Sequence, residues 1–123
     1  MDSRKPFPHE RLVAWQVARE ARLAALHFTR TLPRGYGDER RQINNAAASV
    51  VRNLCEGAGR WKPADKIYRF EIAYGEASEA AGAVVSLRDD DLGDGELAAK
   101  FLQLEGRAAA LITGLIKAQL RRQ

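Results

Sequence analysis

The sequence predicts an all-α chain folded as an up-down-up-down antiparallel four-helix bundle. Three observations carry this. Apolar residues recur at three and four over four long stretches, Pro and Gly cluster in three places between them, and no stretch alternates apolar and polar as a strand would. Long helices joined by short turns place consecutive helices antiparallel. A length of 123 residues fits a single domain over 1–123.

The first helix is expected over 10–30, after "PFP" and before Pro33. Ala14, Val17, Ala18, Ala21, Ala24, Ala25 and Phe28 form its core stripe, while Leu12, Trp15 and Leu26 widen the apolar surface toward a second neighbour. "LPRGYGD" is a turn in which Asp38 suits the N-cap of a second helix, 39–58. In that helix Ile43, Ala47, Val50, Leu54 and Ala58 share one side, and Arg41, Asn45, Ser49, Arg52, Glu56 and Arg60 lie opposite. Gly57 and Gly59 are expected to end it in left-handed geometry.

Pro63 and Asp65 open a third helix, 64–88, whose core stripe reads Ile67, Phe70, Tyr74, Ala77, Ala81, Val84 and Val85. Its other side, with Arg69, Ile72, Ala73, Glu76, Ala80 and Ala83, is only weakly polar. Asp94 and Glu96 in "RDDDLGDGE" suit the first turn of a fourth helix, 95–121, where carboxylates meet the positive end of the helix dipole. Leu97, Phe101, Leu104, Ala108, Leu111, Ile112 and Leu115 are expected inward there, and Lys100, Gln103, Arg107, Lys117 and Arg121 outward.

Composition excludes several classes of function. Charge interrupts every apolar run well short of the ~20 residues that cross a bilayer. "MDSRKPFPHE" lacks the apolar core of a secretory leader, so a cytoplasmic protein without a membrane partner is expected. Cys55, the one cysteine, fits a reducing compartment and is expected to be a buried small hydrophobe. The net charge of +4 is uneven: residues 1–62 hold 12 Lys or Arg against 6 Asp or Glu, and residues 63–123 hold 8 against 10. Fifteen of the twenty bases are Arg, which suits bidentate contact with phosphate or carboxylate.

No catalytic or metal constellation emerges. His9 and His27 have no Glu-x-x-His or His-x-x-x-His spacing, so a bundle di-iron site is not expected. The acids of "DDDLGDGE" lack the EF-hand order and are assigned to helix capping. Glu56, Glu71, Glu76 and Glu79 lie near Arg52, Arg60 and Arg69, which favours ion pairing over acid–base work. Arg34, Arg40, Arg41, Arg52, Arg60, Lys62 and Trp61 supply groups that grip phosphate or stack on a base.

The strings "ERLVAWQVARE", "RRQINNAAASVVRNLCEGAGR" and "YRFEIAYGEASEA" together resemble the bacterial four-helix bundle family first found as reading frames in 23S rRNA intervening sequences. The similarity rests on Trp15 and Gln16, Gln42, Ala46 to Ser49, Asn53, Glu56, Gly57, Gly59, Arg60, Gly75 and Glu79. It implies a cytoplasmic bundle assembling into a ring, typically a pentamer, and does not imply an enzyme; no cofactor is expected. A distant relative, the accessory variability protein of diversity-generating retroelements, is a basic pentameric barrel that binds nucleic acid and a reverse transcriptase. The basic run that often follows Gly-Arg in the family is "WKPAD" here, with fewer positive charges.

Two functions are therefore expected as alternatives. One is a homo-oligomeric bundle that binds RNA or DNA through Arg41, Arg52, Arg60 and Lys62. The other is a scaffold or accessory subunit for another protein, with no nucleic acid bound. In either case Asn45, Ser49, Asn53, Glu56 and Glu79 are expected to serve structure or subunit contacts; Asn53 and Glu56 should hydrogen-bond between helices or subunits.

Overall fold

The computed structural model describes residues 3–123; Met1 and Asp2 of the single-domain span lie outside the described residues. After a short 3-10 turn at Pro8–Arg11 come four α-helices: α1 Val13–Thr29, α2 Gly37–Gly59, α3 Pro63–Asp89 and α4 Gly95–Leu120. Each packs against its chain neighbours, α4 closes back on α1, and the Cα atoms of the diagonal pairs stay more than 8 Å apart among the described residues. The arrangement is the expected up-down-up-down bundle with four corners. No helix among the described residues is long and apolar enough to cross a membrane.

Helix boundaries depart from expectation where a cap or proline intervenes. Leu12 takes an extended conformation, so α1 starts at Val13 rather than Glu10. The residues before it fold separately: Pro8 begins the 3-10 turn, and the Glu10 carboxylate accepts from the Phe7 N–H (2.9 Å) and from Arg4. Tyr36 rather than Asp38 is the N-cap of α2. Asp38 lies inside the first turn, where its carboxylate holds Arg41 at 2.7 Å.

Gly57 and Gly59 keep right-handed helical geometry, and the left-handed positions are Gly35, Asp91 and Gly93 in the other turns. Side chains reinforce the ends of α1 and α2. Lys66 of α3 donates to the Gly57 and Ala58 carbonyls at the end of α2 (3.2 and 2.9 Å). Arg40 of α2 likewise donates to the Thr29 and Leu32 carbonyls at the end of α1 (3.0 and 3.1 Å). In both cases a cation joins the turn at the negative end of the dipole, adding to the single amides that reach the Thr29 and Gly57 carbonyls from Leu32 and Arg60 (both 3.2 Å). Asp94 caps α4 by accepting from the Leu97 N–H at 2.9 Å, as its sequence position suggested.

Gly57 has a steric role. A Cβ there would lie 2.6 Å from the Phe70 ring and 3.1 Å from the Arg69 Cβ, so α2 and α3 approach closely only because no side chain intervenes. No atom stands within 4 Å of a Cβ placed on Gly59.

The buried stripe of α1 is the expected one, joined by Thr29, whose hydroxyl bonds Asn44 of α2. The stripe of α3 is rotated from the expected one. Phe70, Ala73, Ala77, Ala80, Val84 and Leu87 are buried, Ile67, Ala81 and Val85 are half-buried, and Tyr74 is exposed. Alanine lies on every side of this helix, so apolar spacing alone defines no single phase. On α4 the fully buried line is Ala98, Phe101, Glu105, Ala108 and Ile112, while Leu97, Leu104, Leu111 and Leu115 are half-buried.

Glu105 was absent from the expected core, although its spacing from Phe101 and Ala108 puts it on the inward line. Phe101 belongs to one apolar cluster, with Phe28, Ile43 and Val84; Ala108 belongs to a second, with Val50, Leu54, Phe70 and Ile112. Glu105 falls between them in α4, 1% exposed, with neither carboxylate oxygen hydrogen-bonded among the described residues. Burial pushes its carboxyl up to about 8, from an ordinary 4.5.

Two tests follow from the packing. Folded chains retain the Glu105 proton at pH values where unfolded chains release it. Its stabilisation is complete below the unfolded value near 4.5 and falls by about 1.4 kcal/mol per unit until about pH 8. Thermal melts at fixed ionic strength should show this decline, roughly 3 kcal/mol by pH 7, and Glu105→Met should abolish it and melt higher at neutral pH. At the α2–α3 crossing, overpacking of about 1–3 kcal/mol in Gly57→Ala outweighs a propensity gain of roughly 0.5–1 kcal/mol. Denaturant titration should therefore find Gly57→Ala less stable and Gly59→Ala more stable than the wild type.

Candidate nucleic-acid interface

The polar side of α2 closes on α3 through one arginine. Asn53 is buried, its amide donating to the Ser49 carbonyl (2.9 Å) and hydroxyl (3.0 Å). The Asn53 side-chain carbonyl accepts from Arg69 at 3.4 Å. Glu56 receives Arg69 Nε at 3.2 Å and has Arg60 at 3.9 Å. Arg69 thus ties two residues of α2 to α3 and also lies over the Tyr68 ring, 5.5 Å from its centre. Farther along the same pair of helices, the Gln42 amide donates to Glu79 at 3.3 Å.

Antiparallel packing determines what surrounds this junction. Call proximal the end where α1 and α3 begin and α2 and α4 finish. Arg60, Lys62, Lys66 and Arg69 lie there on the α2–α3 side, and the end of α4 adds Lys117, Arg121 and Arg122. Arg122 is close enough to act on Lys66: burial first, and then the charge of Arg122, hold the Lys66 ammonium below its usual range. Glu56, Asp65 and Glu71 are the nearby acids in these helices.

Aromatic residues are exposed at the same end. Trp61 is 96% exposed and Tyr68 is also open to solvent, while Arg60, Asp65, Tyr68 and Arg69 line a recess of about 190 Å³. The distal turns carry most of the remaining acids, namely Asp38, Glu39, Asp89, Asp90, Asp91, Asp94 and Glu96. Arg30, Arg34, Arg40, Arg41 and Arg88 offset them there. Positive charge that looked like an excess of the first half of the sequence is therefore concentrated at one end of the bundle.

The structure brings together only part of the expected set. Arg60 and Lys62 sit in the proximal basic cluster, both exposed. Arg52 is exposed two turns back along α2, roughly 12 Å by helix rise. Arg41 lies roughly 28 Å from Arg60, at the distal end, paired with Asp38. Asn45 is exposed beside Arg22, Leu26 and Asn44, in the groove between α1 and α2. Arg69 pairs with Glu56 as its sequence position suggested; Tyr68 and Arg122 were not singled out from sequence, and Arg121 was placed only as an outward residue of the fourth helix, its nearness to this end becoming legible once antiparallel neighbours are applied to helix ends.

Cys55 also differs from expectation. It is half-buried, with its Sγ 3.4 Å from His9 Nδ1, because the 3-10 turn lays His9 between Cys55 and the edge of Trp15. The contact joins residues 46 apart in sequence, beyond the reach of a spacing argument.

Removing Arg69 would leave the buried Asn53 carbonyl and the Glu56 carboxylate without their interhelical donor. Arg69→Ala should cost roughly 1–3 kcal/mol in denaturant titration. Arg69→Lys should recover only part, since one ammonium cannot reproduce a planar fork spread over two acceptors and a ring.

Residues 10–114 match the model of the 23S rRNA-intervening sequence protein family. No curated protein matches the chain. A match covering most of the sequence, on a four-helix bundle that positions the Asn53–Glu56 segment against α3, establishes that the chain belongs to the 23S rRNA-intervening sequence protein family.

Proposed function

We propose that the protein is a non-enzymatic, cytoplasmic homo-oligomer, a ring of five copies on the family resemblance, that binds RNA or DNA through its proximal end. The observation that carries this reading is the gathering of Arg60, Lys62, Arg121 and Arg122 beside the exposed Tyr68. Arginine and lysine at this density neutralise phosphates, while an exposed ring accepts any base face, so affinity would be strongly salt-dependent and weakly sequence-dependent. These groups hold phosphates and bases and provide no nucleophile or acid–base pair, which favours a binding protein over an enzyme. Assembly would multiply the effect by presenting several basic ends together.

A second reading, a scaffold for another protein, is favoured by one specific feature. The groove between α3 and α4 is apolar and open, with Tyr74 and Leu120 exposed on it.

Titration of single-stranded RNA and of duplex DNA at rising salt separates the readings. Nucleic-acid binding predicts retardation at low salt and a log–log slope of about −0.7 per contacted phosphate for a single strand or −0.9 for a duplex. Arg60→Ala and Arg122→Ala should each flatten the slope by about one unit, whereas Arg41→Ala, at the distal end, should not. Absence of binding at low salt, or a flat slope, would overturn the proposal in favour of the scaffold.

A further inference from the structure

We infer that the proximal end takes single-stranded nucleic acid, the recess of Arg60, Asp65, Tyr68 and Arg69 holding one unpaired, amino-bearing base while Trp61 stacks on another. This rests on the nucleic-acid reading and names the form of its ligand. Phosphate neutralisation alone would favour a duplex, whose charge is denser. Several of the cations here are already committed. Lys66 bonds the end of α2, Arg69 is held by Glu56 and Asn53, and the carboxylates of Glu56 and Asp65 subtract from the positive charge that remains. Exposed rings must therefore supply part of the affinity, and a ring reaches a base face only where bases are not already stacked in a duplex.

The recess suits a base better than a phosphate. Tyr68 has the Arg69 guanidinium over its ring at 5.5 Å and is still 61% exposed, so it offers a held but open stacking surface. Arg60 adds a second guanidinium plane, on which a base can also lie. Asp65, exposed on the first turn of α3, has no hydrogen bond or ion pair among the described residues. A carboxylate in that place repels phosphate but accepts from the exocyclic amine of cytosine, adenine or guanine. Uracil and thymine present carbonyl oxygens instead, which it would repel. The volume, about 190 Å³, is on the scale of a single base.

Trp61 supplies the second surface. It is 96% exposed, so the indole does almost no packing within the chain. Extended backbone at Arg60 and Lys62 holds it out from the turn between α2 and α3. Arg60 adjoins both surfaces, since it precedes Trp61 in the chain and also lines the recess. Lys62, exposed on the other side of Trp61, has no ion pair among the described residues and is available to the phosphate beside a base stacked there. One discriminating recess leaves the rest of the strand unread, in keeping with weak sequence dependence.

Anisotropy titrations of the full chain at low salt test this, with labelled oligo(C), oligo(U) and a duplex of equal length, each as RNA and as DNA (thymine replacing uracil). Within either sugar, oligo(C) should bind at least about 5-fold tighter than the duplex and than oligo(U) or oligo(T). Trp61→Ala and Tyr68→Ala should each weaken oligo(C) by about 5- to 150-fold, the range for one stacked base, with helical circular dichroism unchanged. Their salt slopes should match the wild type, because no phosphate contact is lost. Trp61→Phe should keep most of the affinity. Asp65→Asn, whose amide donates as well as accepts, should bring oligo(U) up toward oligo(C). Equal affinity for duplex and single strand, or wild-type oligo(C) affinity in both alanine variants, would overturn the inference while the nucleic-acid reading stands. Oligo(U) bound as tightly as oligo(C) by the wild type would overturn the base recess. No binding of any probe at low salt would refute the nucleic-acid reading itself, and this inference with it.

Discussion

Close packing of alanine-lined helices is the constraint on which the rest of this molecule depends. Ala14, Ala18, Ala21 and Ala25 on α1, with Ala73, Ala77 and Ala80 on α3, keep bulk out of the space between backbones. Small side chains at a helix contact permit the shorter interaxial separations. A few large residues, Phe28, Ile43, Phe70 and Phe101, then set the register. Once register is fixed in an antiparallel bundle, the helix ends coincide. The cluster of cations at one end follows from that coincidence and from no local sequence motif.

Charged side chains do two kinds of structural work in this frame. Lys66 and Arg40 each reach back from one helix to close the carbonyl end of the helix before it, and Arg69 ties α2 to α3 through Asn53 and Glu56. Much of the basic character is thereby committed to holding helices together. The cations left for a ligand are those with no such duty, at Lys62 and the end of α4, together with Arg60, whose pairing to Glu56 is long and exposed. Glu105 runs against this economy, as a carboxyl kept neutral between two apolar clusters.

Sequence pattern revealed most of the fold because all four helices are amphipathic or apolar at helical spacing, with the clearest phase in α1. The seven core positions of α1 were all legible, since charges border the stripe on both sides. In α3 alanines surround the helix, and a phase chosen from Tyr74, Ala81 and Val85 had no polar boundary to correct it. Gly57 looked like a helix stop because glycine has two uses, and spacing cannot distinguish a left-handed turn from a close crossing against Phe70. Arg60 and Lys62 were visible as a local cluster. Arg122 was not, because its nearness to Lys66 is a property of topology, across more than fifty intervening residues.

The Pro8–Arg11 turn has a consequence of another kind. It rests on the bundle through His9, which leans on Trp15 and meets the sulfur of Cys55, and through the Gln16 side chain, which holds the Glu10 carbonyl at 2.9 Å. With no other cysteine in the chain, thiol chemistry has a single address, beneath this strap. Alkylation of this half-buried thiol would therefore report how far the strap shields it. The chain carries its own probe of that contact, with no engineered label required.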